Sequence, residues 1–441
     1  MKTKLLAMPL AASLAALAMP RVDQEGVAVS YDDQMRKMSI SYRLDDEPAV
    51  ITIDIQTNNT ETGAWESIGG ASLASMVGDV NKVVTNSTDR RTAYWIPGKD
   101  WPERLVTGTG VRAVVKAWAT NAPPDWMVVD LLTTNCVRYY ATEESIPLGV
   151  SNRLYKTEKL VMRKVPAAGI EWRMGIEDWQ PASLHFVTFT EDYYLGIYEM
   201  TQEQYRNAYK SSKVSMPGNS TIPDFSVPSV FKNLADSAIR PVERVSYADL
   251  RGDPNSTVYD WPHHLPLHDV DPDSFLGKFR DFTGVEFDLP TEAQWEYACR
   301  AGEQGRAVYW EGVSWGNAGW WLTNSASEAY PKGETHPVGT IMRNKWGFCD
   351  VHGNVDEWCL DYWVQYMPDD DVVDPVGPPA ATIVGSTTDR RVVRGGNFTE
   401  VNDVNSALYR GSAGGRMGNR ESPGGRYSVH GFRLCSPAMA R

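Results

Sequence analysis

Cysteine is scarce in this chain, with five residues in 441. An odd number leaves at least one thiol unpaired within a single chain, and no CxxC pair or Cys–His spacing completes a tetrahedral zinc site. A disulfide-stapled scaffold is therefore disfavoured, and Cys136, Cys299, Cys349, Cys359 and Cys435 read as small apolar residues of a core. Basic residues are outnumbered, 43 Lys and Arg against 56 Asp and Glu, for a formal charge of −13. No basic run offsets that balance, which argues against a nucleic-acid partner, since such affinity rests on Lys and Arg neutralising phosphates. No stretch reaches the roughly 18 uninterrupted apolar residues of a membrane helix, so no transmembrane span is expected. A GxSxG nucleophile elbow is also missing.

Aromatic residues are plentiful: 16 Trp, 20 Tyr and 11 Phe, in a chain that is 42% hydrophobic. That supply suits packed cores, and the length suits two or three domains. At the N-terminus, Lys2 and Lys4 precede an apolar run from Leu5 to Leu17 that ends in Ala16-Leu17-Ala18. The charged start, short apolar stretch and small-x-small ending predict a signal peptide over 1–18 and a secreted, periplasmic or cell-surface location. Removing Lys2 and Lys4 takes the formal charge from −13 to −15. No cysteine follows the run, so a lipid anchor at that point is not supported.

Residues 22–150 are written in strands. Val27–Tyr31, Lys37–Tyr42, Ala49–Ile55, Arg112–Trp118 and Trp126–Leu131 alternate or are β-branched, with turn formers such as Asp45-Asp46-Glu47-Pro48 and Asn121-Ala122-Pro123-Pro124 between them. Short strands at this spacing predict a small Ig-like antiparallel sandwich. It carries no catalytic constellation and reads as a spacer or adhesion module. From about Lys156 helical patterns begin, at Thr201–Tyr209, Ser274–Phe282 and Thr291–Ala298. In the last, Thr291 and Gln294 have capping-box spacing, and Trp295 with Ala298 makes an apolar stripe flanked by Glu292 and Glu296. The rest is Gly-, Trp- and Asn-rich loop, whose backbone needs many buried polar contacts, aromatic anchors or ions.

Six blocks in 156–441 run in a recognisable order. They are Tyr194–Tyr205 (YLGIYEMTQEQY), Arg240–Tyr247 (RPVERVSY), Phe287–Ala298 (FDLPTEAQWEYA), Asn344–Trp358 (NKWGFCDVHGNVDEW), Arg391–Phe398 (RVVRGGNF) and Gly431–Leu434 (GFRL). Together they resemble the formylglycine-generating enzyme, or sulfatase-modifying factor, family. The resemblance implies an α+β, C-type-lectin-like fold rich in irregular loops, behind the β-sandwich. It also implies a structural Ca²⁺ at the Gly353-Asn354 turn, with Glu357 as charged ligand and the Gly353 and Val355 carbonyls beside it; hard oxygen ligands of this kind suit Ca²⁺. A second calcium site would fall near Asn324 and Ser325. One departure stands out: the family's usual aromatic before Glu357 is Asp356 here, either an added ligand or a surface residue.

The enzymes of that family oxidise a sulfatase cysteine with a cysteine pair that binds copper(I), placed between the RGG strand and the GFR motif. Asn397 to His430 contains no cysteine, and the family's serine after the double glycine is Asn397. No other side chain replaces thiolate on Cu(I), so no copper is expected. His263, His264 and His268 with Asp260 and Asp269 supply the residue types of a facial triad, but Pro262 and Pro266 break any helix that would orient them, and a solvated loop is the reading. The positive clue is composition. Asn397, Tyr409, Arg410, Arg416, Arg420, Arg426 and Tyr427 stand among Ser, Gly and Asn, the mixture that adaptable binding surfaces use. It resembles the variable proteins of diversity-generating retroelements, which present a mutable surface on this fold. The expectation is an exported, non-enzymatic recognition protein for a protein or glycan ligand. The rivals are a formylglycine-generating oxidase or related metal-dependent oxidoreductase, and a purely structural surface protein.

Overall fold

Strict alternation makes Lys37–Tyr42 a strand with Met38, Ile40 and Tyr42 on a wholly buried face. Its neighbours follow from turn chemistry. Asp32 accepts the backbone N–H groups of Gln34 and Met35 at 2.9 Å each, and Arg36 takes a left-handed φ of 48°, which closes the hairpin to Ala28–Asp32. The computed structural model describes residues 19–102, 110–175, 185–212, 227–252, 270–304, 315–362, 371–376, 391–400 and 426–440. The candidate signal segment, the 263–268 histidines and Tyr409, Arg410, Arg416 and Arg420 lie outside them. Among the described residues no helix is long and apolar enough to cross a membrane.

The chain divides into two units, Met1–Ile68 with Ser75–Ala122, and Gly69–Ala74 with Pro123–Arg441. The first is mostly β, with one short helix, Pro97–Asp100. One four-stranded antiparallel sheet joins Ala28–Asp32, Lys37–Tyr42, Arg91–Trp95 and Val77–Gly78; another joins Val111–Ala119, Ala49–Asn58 and Trp65–Ser67, with Val83–Val84 also on Ala49–Asn58, and Arg21–Val22 pairs with Leu44–Asp45. Every strand read from the alternation is there. The boundary differs from the reading of 22–150: the unit ends at Ala122. Trp126–Asp130 and Val137–Tyr140, written in the same strand-like style, pair into a sheet of the second unit, ordered Val137–Tyr140, Trp126–Asp130, Lys159–Val165, Tyr193–Gly196, Cys435–Pro437. β-propensity marks a strand but not its partner, which explains the difference.

The second unit is α+β, as the motif blocks imply. Two further three-stranded sheets join Ile170–Met174, His185–Phe189 and Val372–Val373, and Arg391–Arg394, Asp356–Tyr362 and His430–Gly431. Helix Gln202–Ser212 starts at Thr201, whose hydroxyl accepts the Gln204 N–H at 3.2 Å while the Gln204 side chain accepts the Thr201 N–H at 3.0 Å. Helix Glu292–Cys299 opens with the same reciprocal pair from Thr291 and Gln294. Phe275–Thr283 is capped by Ser274 and ends on a left-handed Gly284. Trp295 and Ala298 enter the core with Trp126, Trp172, Phe189 and Tyr297, and Tyr297 meets Trp172 edge-on at 5.3 Å.

The unit boundary makes a prediction. A fragment beginning at Pro123 keeps all five strands of the larger sheet and should melt cooperatively, because a domain carries its own core. One beginning at Lys156 lacks two of them and should lose that transition. Limited proteolysis should cut around 119–123; cleavage at 148–156 that leaves a stable C-terminal fragment would contradict this division.

Candidate functional site

The turn at Gly353-Asn354 sets the geometry of the site. Both residues are left-handed, at φ 74° and 60°, and a Cβ on Gly353 would stand 2.3 Å from the Trp320 carbonyl oxygen. Only glycine fits there. Asn354 tolerates the conformation and ties the turn down: its Nδ2 donates to Glu199 at 2.7 Å, and its Oδ1 accepts the His336 N–H at 2.9 Å. The Val355 N–H also donates to Glu199, at 3.2 Å. Glu199 is fully buried, and burial followed by its neighbours Asp350 and Glu357 raises its carboxyl well above the usual range.

Two residues on, Glu357 is fully buried and meets Arg433, equally buried. Arg433 Nε donates to Glu357 Oε2 at 2.6 Å and its terminal nitrogen to Oε1 at 2.5 Å; Trp295 Nε1 adds a third bond to Oε2 at 2.7 Å. Arg433 also donates to the carbonyls of Gly196 at 2.9 Å and Cys349 at 3.0 Å. Both carboxylate oxygens are thus occupied by N–H donors, one pair of them cationic. Asn324 is similarly engaged, its Oδ1 accepting the Trp321 N–H at 2.7 Å and its Nδ2 donating to the carbonyls of Gly316 and Gly319 at 2.9 and 3.0 Å. The Asn354 carbonyl accepts the Phe398 N–H at 3.0 Å. A Ca²⁺ cage takes six to eight oxygens, and an ion at Glu357 would compete with Arg433 for the carboxylate. Calcium ligation by Gly353, Asn354, Val355 and Glu357, with Asn324 at a second site, stands as a proposal. In the structure the positive charge beside Glu357 is the Arg433 guanidinium.

A second buried network lies alongside. Arg394 closes on Glu292 at 3.2 Å and on Glu296, and Glu296 is also 3.0 Å from Arg300. The acidic flank of helix Glu292–Cys299 therefore faces inward. After Arg394, Gly395 and Gly396 take φ of 107° and 77°, and a Cβ on Gly396 would meet the Trp321 ring at 2.9 Å. This turn delivers Asn397, which is buried rather than displayed. Its Nδ2 donates to Asp356 Oδ2 at 2.8 Å, and its Oδ1 accepts from the Thr399 N–H at 3.0 Å and hydroxyl at 2.6 Å. Asp356 is buried too, not on the surface, and His430 Nε2 lies 3.5 Å from the same Oδ2. His430 reaches it through the parallel pairing of Asp356 with His430, and its ring stands edge-on to Trp358 at 5.3 Å.

Burial lowers His430 to about 3, and burial with nearby Arg300 lowers His352 to about 3. Both imidazoles are neutral at ordinary pH, so Asp356 meets a hydrogen-bonding ring and not an imidazolium. All five cysteines are free thiols. Burial is the largest cause raising Cys299, Cys349, Cys359 and Cys435, with Cys349 at about 12, which opposes the thiolate that nucleophilic or metal-binding roles need.

Of the proposed ligand residues, Asn397, Arg426 and Tyr427 are among the described residues. Arg426 donates from Nε to Asp249 Oδ2 at 2.8 Å and from a terminal nitrogen to Oδ1 at 2.5 Å. Asp249 itself belongs to the capping box of helix Tyr247–Arg251. The Tyr427 carbonyl accepts the Arg244 N–H at 3.0 Å, and its ring lies 4.9 Å from His430. Sequence reasoning missed Glu199, Arg433 and His430 as partners. A charge inside Gly431-Phe432-Arg433-Leu434, between apolar residues, was the available signal for a buried pair.

The family profile described as "Sulfatase-modifying factor enzyme 1-like domain" matches residues 156–438. The chain is 31% identical over 169 residues to the formylglycine-generating enzyme of Bos taurus, covering 36% of this chain and 41% of that one. It is 30% identical over 159 residues to the inactive C-alpha-formylglycine-generating enzyme 2 of Mus musculus, covering 34% and 43%. The chain thus spans about two-fifths of the length of these curated relatives. Among solved structures, Treponema denticola variable protein 1 aligns at 22% identity and a TM-score of 0.40, over 63% of this chain and 95% of that one.

Two outcomes follow. Glu357→Gln should cost about 3–5 kcal/mol, because it leaves a buried guanidinium uncompensated. Chelator decides the calcium proposal: a lowered melting temperature of the unaltered protein supports it, and an unchanged one removes it. For the histidines the folded state binds fewer protons than the unfolded chain. Their contribution is complete above the unfolded value of about 6.5 and is lost as pH falls from there toward 3. At pH 5 each should have cost about 2 kcal/mol, and His430→Asn should flatten the fall in stability measured by denaturant titration between pH 7 and 5.

Proposed function

The chain belongs to the sulfatase-modifying factor enzyme 1-like family, and from that premise we propose that it is a recognition member of it, exported and without oxidase chemistry. The observation that carries this reading is the absence of any cysteine between Asn397 and His430, the stretch that holds the copper-binding pair in the family's enzymes. The surroundings support it. Asn397 is bound to Asp356 and Thr399, and the four buried thiols elsewhere are held protonated. A relative named as an inactive formylglycine-generating enzyme gives the reading a precedent. Asp356, where the family carries an aromatic, replaces an apolar wall with a carboxylate already engaged by Asn397 and His430.

The finer proposal is that the segment from Asn397 to His430 presents the ligand surface for a protein or glycan, in the manner of a diversity-generating retroelement's variable protein. Its support is the Tyr, Arg, Ser, Gly and Asn composition around Tyr409, Arg410, Arg416 and Arg420, the types that carry adaptable recognition. Arg426, held by Asp249 at the end of that segment, belongs to the same proposed surface.

The purified protein, with or without copper, should leave a CxPxR-type sulfatase peptide unconverted by mass spectrometry. Conversion that vanishes when Cys299, Cys349, Cys359 and Cys435 are replaced by Ser would establish the oxidase and end the recognition reading. For the surface, Tyr409→Ala with Arg410→Ala should weaken a captured partner by more than ~2 kcal/mol, read by calorimetry, at an unchanged melting temperature. Gene copies should also differ mainly between codons 397 and 430; an invariant segment would remove the retroelement proposal.

A further inference from the structure

Glu243 stands in the 240–247 strip, wholly buried, and no cation pairs with it among the described residues. Its Oε1 accepts the Val230 N–H at 2.5 Å, and the Ser229 hydroxyl contacts the same carboxyl group. Its Oε2 has no hydrogen-bond partner among the described residues. An ionised carboxylate so placed has lost the donors that water supplied and gained no counter-charge, which is costly.

What covers Glu243 is a short strap, residues 227–239. Ser229 and Phe231 are buried, while Val230 between them is 45% exposed. The Ser229 hydroxyl accepts the Phe231 N–H at 2.9 Å, and turns closed by Leu234 on Phe231 and by Ser237 on Leu234 carry the chain on. Phe231 stands edge-on to Tyr330 at 5.3 Å and to Phe398 at 5.4 Å. Phe398 follows Asn397, so the strap lies against the foot of the 397–430 segment.

The charged groups on the surrounding segments leave Glu243 uncompensated. Arg240 is committed to Asp236, at 2.6 and 3.1 Å, and to Glu334 at 3.0 Å. Arg244 and Lys232 are exposed, and Arg244 acts on the carboxyl less than burial and the hydrogen bonds do. The chain paired with Arg244, at Tyr427, carries Arg426, bonded to Asp249, and the neutral His430. Burial is the largest cause and raises Glu243 to about 7.

We propose that Glu243 is a proton-operated latch: protonated, it keeps the 227–239 strap closed over the 240–247 strip, and ionised, it admits water and releases the strap from Phe398. The closed strap holds the proton more tightly than a solvated glutamate does. Its stability is therefore complete below the ordinary value of 4.5 and is lost as pH rises through about 7. His430 and His352, lowered by burial, act in the opposite sense. The latch acts on the strap whether or not the 397–430 segment binds a ligand.

Hydrogen–deuterium exchange on the full chain tests this, read by mass spectrometry on peptides from 229–236 at pH 6 and pH 8 and corrected for intrinsic amide exchange. Protection there should fall roughly tenfold between the two pH values, while peptides of the strand Lys159–Val165 keep theirs. Glu243→Gln, neutral at both pH values and of the same size, should hold the acid level of protection throughout. If circular dichroism shows that this variant does not fold, the unaltered protein decides alone. Strap protection that is level or rises from pH 6 to 8, or that falls equally in Lys159–Val165, overturns the proposal. So does a tenfold fall that persists in folded Glu243→Gln.

Discussion

The pair Glu357 and Arg433 is the constraint on which the second unit rests. Removing a carboxylate and a guanidinium from water is costly, and their attraction offsets the cost only with good geometry and every remaining donor occupied. Here the geometry is good and every nitrogen of Arg433 has a partner. Two bonds join the ions, Trp295 supplies a third donor to the carboxylate, and Arg433 spends its other N–H groups on Gly196 and Cys349. Those five groups come from the strands Asp356–Tyr362 and Tyr193–Gly196, helix Glu292–Cys299, the loop before Gly353 and the chain after Gly431. A single ion pair thus fixes segments more than 200 residues apart in sequence.

Around that pair the irregular backbone is held by the same device repeated. Glu199 receives two N–H groups of the Gly353-Asn354 turn, and Arg394 joins Glu292 and Glu296 below the double-glycine turn. Loops without ladder hydrogen bonds need such partners, because an unpaired buried amide costs as much as a lost hydrogen bond. Charged residues at intervals in otherwise apolar motifs are the means by which this loop-rich fold keeps one conformation. An ion in the Glu357 position would duplicate what Arg433 already does.

The position of greatest functional interest in the family carries a closed arrangement here. Asp356, Asn397 and His430 are buried together, and the imidazole is neutral. None of the three carries a thiol.

What was legible in the sequence was local. Alternation at Lys37–Tyr42 and Ala49–Asn58, the capping box of Thr291 and Gln294, and the glycines of the 353 and 395 turns each follow from a few neighbouring residues, since backbone sterics and side-chain period act over short range. Six ordered motif blocks likewise identified the fold of the second unit. Tertiary structure alone decided which sheet Trp126–Asp130 joins, which cation meets Glu357, and that Asp356 and Asn397 face each other and not solvent. These are pairings between residues from 29 to 76 apart in sequence, beyond the reach of local pattern. Glu357 illustrates the division. Its own segment marks it as a carboxylate that needs a positive partner, and only the return of the chain at Arg433 determines that the partner is a side chain.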